Sequence, residues 1–442
     1  MATTIPIPRR VIVKFQNQAG LNYGPGNEQI LVQRKIGDWG EILNKYPNIP
    51  IELKPLIDGL PPSKIKELAD KVPQSKQAND PFSYFAISCP PGVDATAILN
   101  IVSRWPVKAY LEELPAEIPK NSTGGLVPSH VTQGYLEPAI GIDARYAHSL
   151  GPPGQGAGVM FIDMEQGWEH DPHTKKISHN DLPLDIPLLS GVNETDFFHG
   201  TAVLGVVAAR GISTSCRGVA PLASVNCVSM FRAAAGSIFR FPNIAEAIKS
   251  ATSSFLDAGN LGVLLIEAQL NDQGGFLPVE VESDKFDAIE EATELGIVVV
   301  EAAGNGGRNL DDIIIKDSGA ILVGGGTSSS PFKRVGGSNW SEKNNRVHCF
   351  AWGENVLTLS NFGSNGVMTF DGTSSAASII AGAAIIVQSV AQHRFGVRLK
   401  PEQVRTLLQF GTASHKNEVG VMPNLRQILD VQIGKLNNMP KQ

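Results

Sequence analysis

From about residue 155 onwards, short unbroken apolar runs alternate with longer stretches of mixed character. The runs are Val159-Met-Phe-Ile162, Val225-Asn-Cys-Val228, Val263-Leu-Leu-Ile266, Ile297-Val-Val-Val300 and Ala320-Ile-Leu-Val323. Strands covered by helices on both faces read this way, because neither side alternates with solvent. Between them, Ile244 to Ala258 and Lys285 to Leu295 fit helices, the second with Phe286, Ile289, Ala292 and Leu295 on one face. A long run of small and apolar residues, Ala376 to Ala391, contains Gln388 and suits a helix buried inside protein. The pattern predicts a doubly wound α/β domain with a mostly parallel sheet over 155–434, whose site lies beyond the carboxyl ends of the strands.

Residues 1–115 have a different texture, with shorter elements. Strands are expected at Val11 to Phe15, Ile51 to Ile57, Tyr84 to Ser88 and Val107 to Leu111, and helices at Ser63 to Val72 and Asp94 to Trp105. Ala97, Ile98, Ile101 and Val102 give the last helix one apolar stripe to lay on a sheet. This is a small α+β unit. A segment rich in Pro, Gly and Ser follows from Pro115 to about Ser129, within a linker and lead-in over 116–154, and a polar tail closes the chain at 435–442.

The chain has 442 residues, 42% of them hydrophobic and 18% charged, enough to bury a large core and a smaller companion. With 37 basic against 43 acidic residues it carries −6, without the basic excess of a phosphate-binding surface, so nucleic acid is not an expected partner. Neither is a membrane, since no window offers an uninterrupted apolar span. Four widely spaced cysteines, Cys89, Cys216, Cys227 and Cys349, form no metal-ligand pattern; Cys216 and Cys227 are the pair available to an oxidising compartment. No apolar stretch follows the charges of the first ten residues, which reads as cytoplasmic residence.

Three features carry chemistry together. The first strand leads into Asp163, a position that by itself is as common for a turn or cap. His199-Gly-Thr201 opens a helix of small apolar residues, and Gly372-Thr-Ser374-Ser-Ala376 opens the buried Ala/Ile helix. Considered separately, these are a structural histidine and a capping serine. Together they fit a Ser/His/Asp set, because a serine hydroxyl attacks only when an imidazole takes its proton and a carboxylate holds that imidazole. A dehydrogenase is disfavoured, since the first strand runs into Asp163-Met-Glu-Gln-Gly167 and not a glycine-rich phosphate loop.

In the order Asp163, His199, Ser374, and over residues 155 to 410, the chain resembles the subtilisin-like serine proteases, or subtilases. Ala303-Gly-Asn305 looks like that family's oxyanion-hole segment, which makes Asn305 the expected donor alongside the Ser374 backbone N–H. The resemblance implies peptide-bond hydrolysis through an acyl-enzyme, with a protein or peptide as substrate. It also implies that residues 1–115, similar in size and element order to a ferredoxin-like inhibitory prodomain, dock on the catalytic domain of a zymogen. Cleavage would then fall between Glu113 and Ser129. Alternatives are a permanently attached binding domain, a ligase or macrocyclase sharing the acyl-enzyme, and a non-catalytic peptide-binding pseudoprotease scaffold.

Several positions depart from the family. Glu267-Ala-Gln-Leu270 replaces the usual Ser-Leu-Gly of the substrate-pairing strand, so Glu267, Ala268 and Gln269 are the expected substrate-binding residues of an altered edge. Ala377-Ser378 stands for Ser-Pro, and Cys349 to Glu354 takes the place of an Ala-Pro-Gly turn. Glu267, Asp272, Glu280 and Glu282 are either a solvated surface or a preference for basic substrate side chains. No cofactor or metal is expected; some subtilases bind calcium, but no defined calcium loop is present.

Overall fold

The computed structural model describes residues 9–436 apart from 17–19, 74–79, 117–131, 172, 194–196, 234–239, 260–261, 273–274, 315, 344–345 and 361–365. Much of the expected linker, and the tail from 437, lie outside the described residues.

The N-terminal unit consists of β1 (Arg9–Lys14), α1 (Asn27–Gln33), α2 (Trp39–Lys45), β2 (Leu53–Pro55), α3 (Pro62–Lys71), β3 (Tyr84–Cys89), α4 (Ala95–Val102) and β4 (Lys108–Leu111). Its sheet has the order β2-β3-β1-β4, with Val11 opposite both Ile87 and Leu111 in antiparallel register. The patterning missed α1 and α2, which are single short amphipathic stretches burying only Asn27 and Leu31, and Trp39 and Ile42. The helix expected from Asp94 begins with Asp94 as its cap, the carboxylate accepting from Thr96 N at 2.9 Å. Alternation along β1 supplies two cores. Val11 and Val13 face Ile98 and Val102 of α4, while Ile12 joins Leu56, Ile65 and Ala245, the last contributed by the larger unit.

The larger unit runs α5 (Ala144–Ser149), β5 (Met160–Glu165), β6 (Leu188–Ser190), α6 (Phe197–Ala208), β7 (Ser224–Ser229), β8 (Phe231–Ala233), β9 (Arg240–Pro242), α7 (Ile244–Asp257) and β10 (Val263–Ile266). It continues with β11 (Gln269–Asp272), β12 (Gly275–Pro278), α8 (Ser283–Glu294), β13 (Val298–Ala302), β14 (Ile321–Gly326), β15 (Val347–Trp352), β16 (Val356–Leu359), β17 (Val367–Phe370), α9 (Thr373–Phe395), α10 (Pro401–Leu407), β18 (Gly411–Ala413) and β19 (Val421–Pro423). A nine-stranded sheet is ordered β18-β19-β15-β14-β13-β10-β5-β7-β6, parallel throughout except where β18 meets β19. This is a doubly wound α/β fold. Cys349 to Trp352, the first part of the stretch that takes the place of the family's Ala-Pro-Gly turn, belongs to the buried strand β15.

Each central strand sends alternate side chains to opposite cores. Phe161, Val263 and Leu265 lie with α6 and α9, whereas Ile162, Leu264 and Ile266 lie with α7 and α8. Helix α9 is long and apolar enough to cross a membrane, but its apolar window is wholly buried against the sheet and α6. All four cysteines are free and buried, so Cys216 and Cys227 are not joined.

Three of the four acidic residues expected near the cleft are buried and form no solvated surface. Glu280 is paired with Arg346 at 2.6 Å, Glu282 meets Lys285, and Glu267 is buried. Lys285 belongs to a cluster that fastens the two units together. It is fully buried, contacts Asp284 at 3.3 Å and Glu112 at 3.7 Å, and Glu112 in turn holds Arg10 of β1 at 2.6 Å. Burial opposes the charge on Lys285, yet Asp284, Glu282 and Glu112 outweigh it and keep the ammonium protonated. Tyr110 donates to Asp284 at 2.6 Å and Lys14 meets Asp287 at 2.8 Å across the same seam.

Replacing Lys285 with methionine should therefore leave several buried carboxylates without their cation, a loss of about 3–5 kcal/mol. Chemical denaturation of wild type and Lys285→Met will measure it, and a difference below about 1 kcal/mol would remove the cluster from the account of how the units are held.

Candidate active site

Asp163 and Glu165 stand two residues apart at the end of β5, so both project from the face that α6 and α9 cover. Both are buried. His199 lies in the first turn of α6, and its Nδ1 contacts Glu165 Oε1. Asp163 does something else: its Oδ2 accepts from Trp168 Nε1 at 2.7 Å, and its Oδ1 has no partner. Asp163 was the residue expected beside His199; in the structure the carboxyl that contacts the imidazole is that of Glu165. The physical reason is the period of the strand, which gives both carboxyls the same face and leaves side-chain length to select the one that reaches the imidazole.

The surroundings fix this arrangement. Trp168 is fully buried, and Asn193 accepts from its backbone N–H at 2.8 Å while donating back to its carbonyl at 2.9 Å. Gly200 is needed beside His199, since a Cβ there would lie 2.3 Å from the Gly167 carbonyl oxygen and 2.7 Å from the Trp168 ring. Phe370 stacks edge-on against the imidazole with centroids 5.0 Å apart. Burial, and next the neighbouring Glu165, push the Asp163 carboxyl well above the ordinary range; the Trp168 bond works against that rise.

Ser374 sits in the first turn of α9, following Gly372 at φ 91°, a backbone conformation suited to glycine. Asn305 is brought to this turn from the loop after β13. Its Oδ1 accepts from Thr373 N at 2.9 Å, which leaves the Nδ2 amide as the donor, and Nδ2 bonds Gln269 Oε1 at 3.1 Å. Gln269 Oε1 also accepts from Asn305 N at 2.9 Å.

The three residues expected to bind substrate separate in the structure. Glu267 and Ala268 are buried, and Glu267 Oε1 lies 3.2 Å from Ser378 Oγ. Gln269 begins β11, which is already paired along its edge with another stretch of chain. Ala116 N donates to the Gln269 carbonyl at 2.8 Å, Asn271 N donates to the Leu114 carbonyl at 3.3 Å, and Pro115 and Leu270 face each other antiparallel. The altered edge therefore pairs with an extended stretch of this chain's own backbone. Gln166 Nε2 reaches the Ala116 carbonyl at 3.4 Å from the other side. Among the described residues no three metal-ligating side chains gather as a cation site.

Sequence reasoning missed Glu165, Trp168 and Gln166 as members of this site. Glu165 was detectable from strand periodicity alone; Trp168 and Gln166 follow the strand without any pattern to mark them.

A doubly wound sheet that brings a buried histidine–carboxylate pair, a helix-mouth serine and a held asparagine amide to its carboxyl edge defines the class of subtilisin-like serine proteases. The Subtilase family profile matches residues 192–422, just over half of the chain, and the chain belongs to that family. The match takes in His199, Asn305 and Ser374 and starts beyond β5. Subtilisin-like protease 10 of Arthroderma benhamiae is 39% identical over 24% of this chain and 20% of its own length. Thermostable alkaline protease of Halalkalibacterium halodurans is 28% identical over 56% of this chain and 61% of its own, and an extracellular protease of Xanthomonas campestris is 29% identical over 48% and 35%. The chain thus spans less than two thirds of the length of each of these relatives. The expected cytoplasmic residence is contradicted by these relatives, one of which is named as an extracellular protease. That expectation rested on a missing apolar stretch, and an absence carries no address.

Phenylalanine at Trp168 would leave the buried Asp163 carboxyl without its donor, at a cost of roughly 1–3 kcal/mol. Thermal or urea unfolding of Trp168→Phe will read this, and an unchanged midpoint would show that the bond contributes nothing.

Proposed function

We propose that this protein is a serine endopeptidase in which Ser374 attacks the peptide carbonyl. His199 takes the serine proton and returns it to the leaving amine, and Glu165 holds the imidazole by its Nδ1. The observation that carries this reading is the buried Glu165–His199 contact on the sheet face where α9 presents Ser374. An amide –NH₂ has two donors. Asn305 Nδ2, with one of them on Gln269, keeps the other for the oxyanion, together with the Ser374 backbone N–H. The attack forms a tetrahedral intermediate, then an acyl-enzyme that water resolves. No feature of the site favours a ligase or a non-catalytic scaffold.

The pairing of Leu114 to Ala116 on β11 supports a second part of the reading: residues 1–115 act as an inhibitory prodomain whose end lies where substrate backbone would add as a strand. Cleavage then falls between Glu113 and Ser129 and frees that edge.

Intact mass after a fluorophosphonate will show one adduct on wild type and none on Ser374→Ala, with loss of an N-terminal fragment in the active species. A dead, uncut wild type that stays unlabelled as residues 130–442 would refute the enzyme. Glu165→Gln should lower kcat by roughly 10⁴-fold, while Asp163→Asn, which removes no contact to His199, should cost far less. The reverse ranking would restore Asp163 as the orienting group. Asn305→Ala should lose about 10²- to 10³-fold, the range found for such a donor in subtilisin.

A further inference from the structure

Three carboxyls share the face of the sheet beneath Ser374. β10 lies beside β5 with Leu265 opposite Asp163 and Ile266 opposite Met164, so Glu267 follows on the same face as Asp163 and Glu165. All three are at most 5% exposed. From α6 the cluster meets His199, and from α9 the hydroxyls of Ser374 and Ser378. Glu301 of β13 is in register with Ile266 and so belongs to the opposite face. The charges that act most strongly on Glu267 are those of Glu165 and Asp163, both of its own sign.

The bonds of Ser378 bear on where a proton resides. Its Oγ lies 2.8 Å from the Ser374 carbonyl oxygen and 3.2 Å from Glu267 Oε1. A serine hydroxyl has one proton. Given to the carbonyl, which only accepts, that proton leaves Ser378 an acceptor towards Glu267, and the contact is then satisfied by an acid O–H. Glu267 Oε2 is buried with no partner, a poor place for the charge of a carboxylate.

We propose that Glu267 is a positioning residue of the catalytic centre that works as a neutral carboxylic acid, holding the first turn of α9 through Ser378 and Ser374. This rests on the serine endopeptidase reading. Burial first, then Glu165 and Asp163, push the Glu267 carboxyl well above the usual carboxylate range, which agrees with a retained proton. Loss of that proton places a further negative charge beneath Ser374, where the tetrahedral intermediate develops its own. The activity therefore depends on the protonated form and is lost as pH rises through the ionisation of Glu267.

The test compares the pH dependence of fluorophosphonate labelling in full-length wild type and Glu267→Gln. Wild type should lose about tenfold or more in rate as Glu267 ionises, and the glutamine variant, whatever its absolute rate, should lack that fall. A variant that keeps the fall, or a wild-type rate that climbs without a break, overturns the proposal. Infrared difference spectra at neutral pH give a reading that needs no turnover: wild type should show the C=O stretch of a protonated carboxyl that Glu267→Gln lacks, and its absence overturns the proposal equally. Should glutamine prevent folding, Glu267→Ser serves for both comparisons. If wild type is not labelled at any pH, or Ser374→Ala is labelled as well, the endopeptidase reading falls, while the infrared result still decides the state of Glu267.

Discussion

Crowding of acidic groups at the carboxyl end of two neighbouring parallel strands is the constraint around which this molecule is arranged. Asp163, Glu165 and Glu267 all face the helices α6 and α9 because strand side chains alternate and the register of β5 with β10 puts odd-numbered positions on one side. Three buried carboxyls cannot all be ionised beside a single imidazole without a severe desolvation and repulsion cost. Each is given a different partner: Trp168 for Asp163, His199 for Glu165, and Ser378 with Ser374 for Glu267. The division of partners separates the three carboxyls, so that only Glu165 contacts the imidazole.

The helices that cover this face deliver the remaining groups. α9 is buried over most of its length, so its first turn cannot drift, and Asn305 secures that turn through Thr373 N. Glycines are placed where a side chain would collide: a Cβ at Gly372 would lie 3.1 Å from Asn305 Oδ1, and one at Gly200 would strike Gly167 and Trp168. The rigidity of the site comes from packing against the sheet, with loops contributing the asparagine and the indole. The N-terminal unit reaches the same region from outside. Its sheet packs Ile12 towards Ala245, its ions meet at Lys285, and its last residues lie along β11.

Much of this was legible in the pattern of residues. The five central apolar runs became adjacent parallel strands, and the Ala/Ile stretch became the buried helix α9. His199, Asn305 and Ser374 were singled out because each opens or closes an element in a compact local motif. The short helices α1 and α2 were missed because one turn or two of amphipathic chain is too little periodicity to detect. Strand β15 was not among the expected strands because Cys349 to Trp352 mixes aromatic and small residues without an unbroken aliphatic run.

The sequence by itself determined the fold class, the family and the residue types the site uses, since periodicity and local motifs are properties of neighbouring positions. Only the tertiary structure decided which carboxyl contacts the histidine. Asp163 and Glu165 are equivalent in strand phase, and the choice rests on Trp168 folding back onto one and α6 bringing His199 to the other. It also decided that Glu267 is buried on the sheet face of Asp163 and Glu165, beside Ser378. That outcome depends on the register between β5 and β10, a relation between segments about a hundred residues apart that no local pattern encodes.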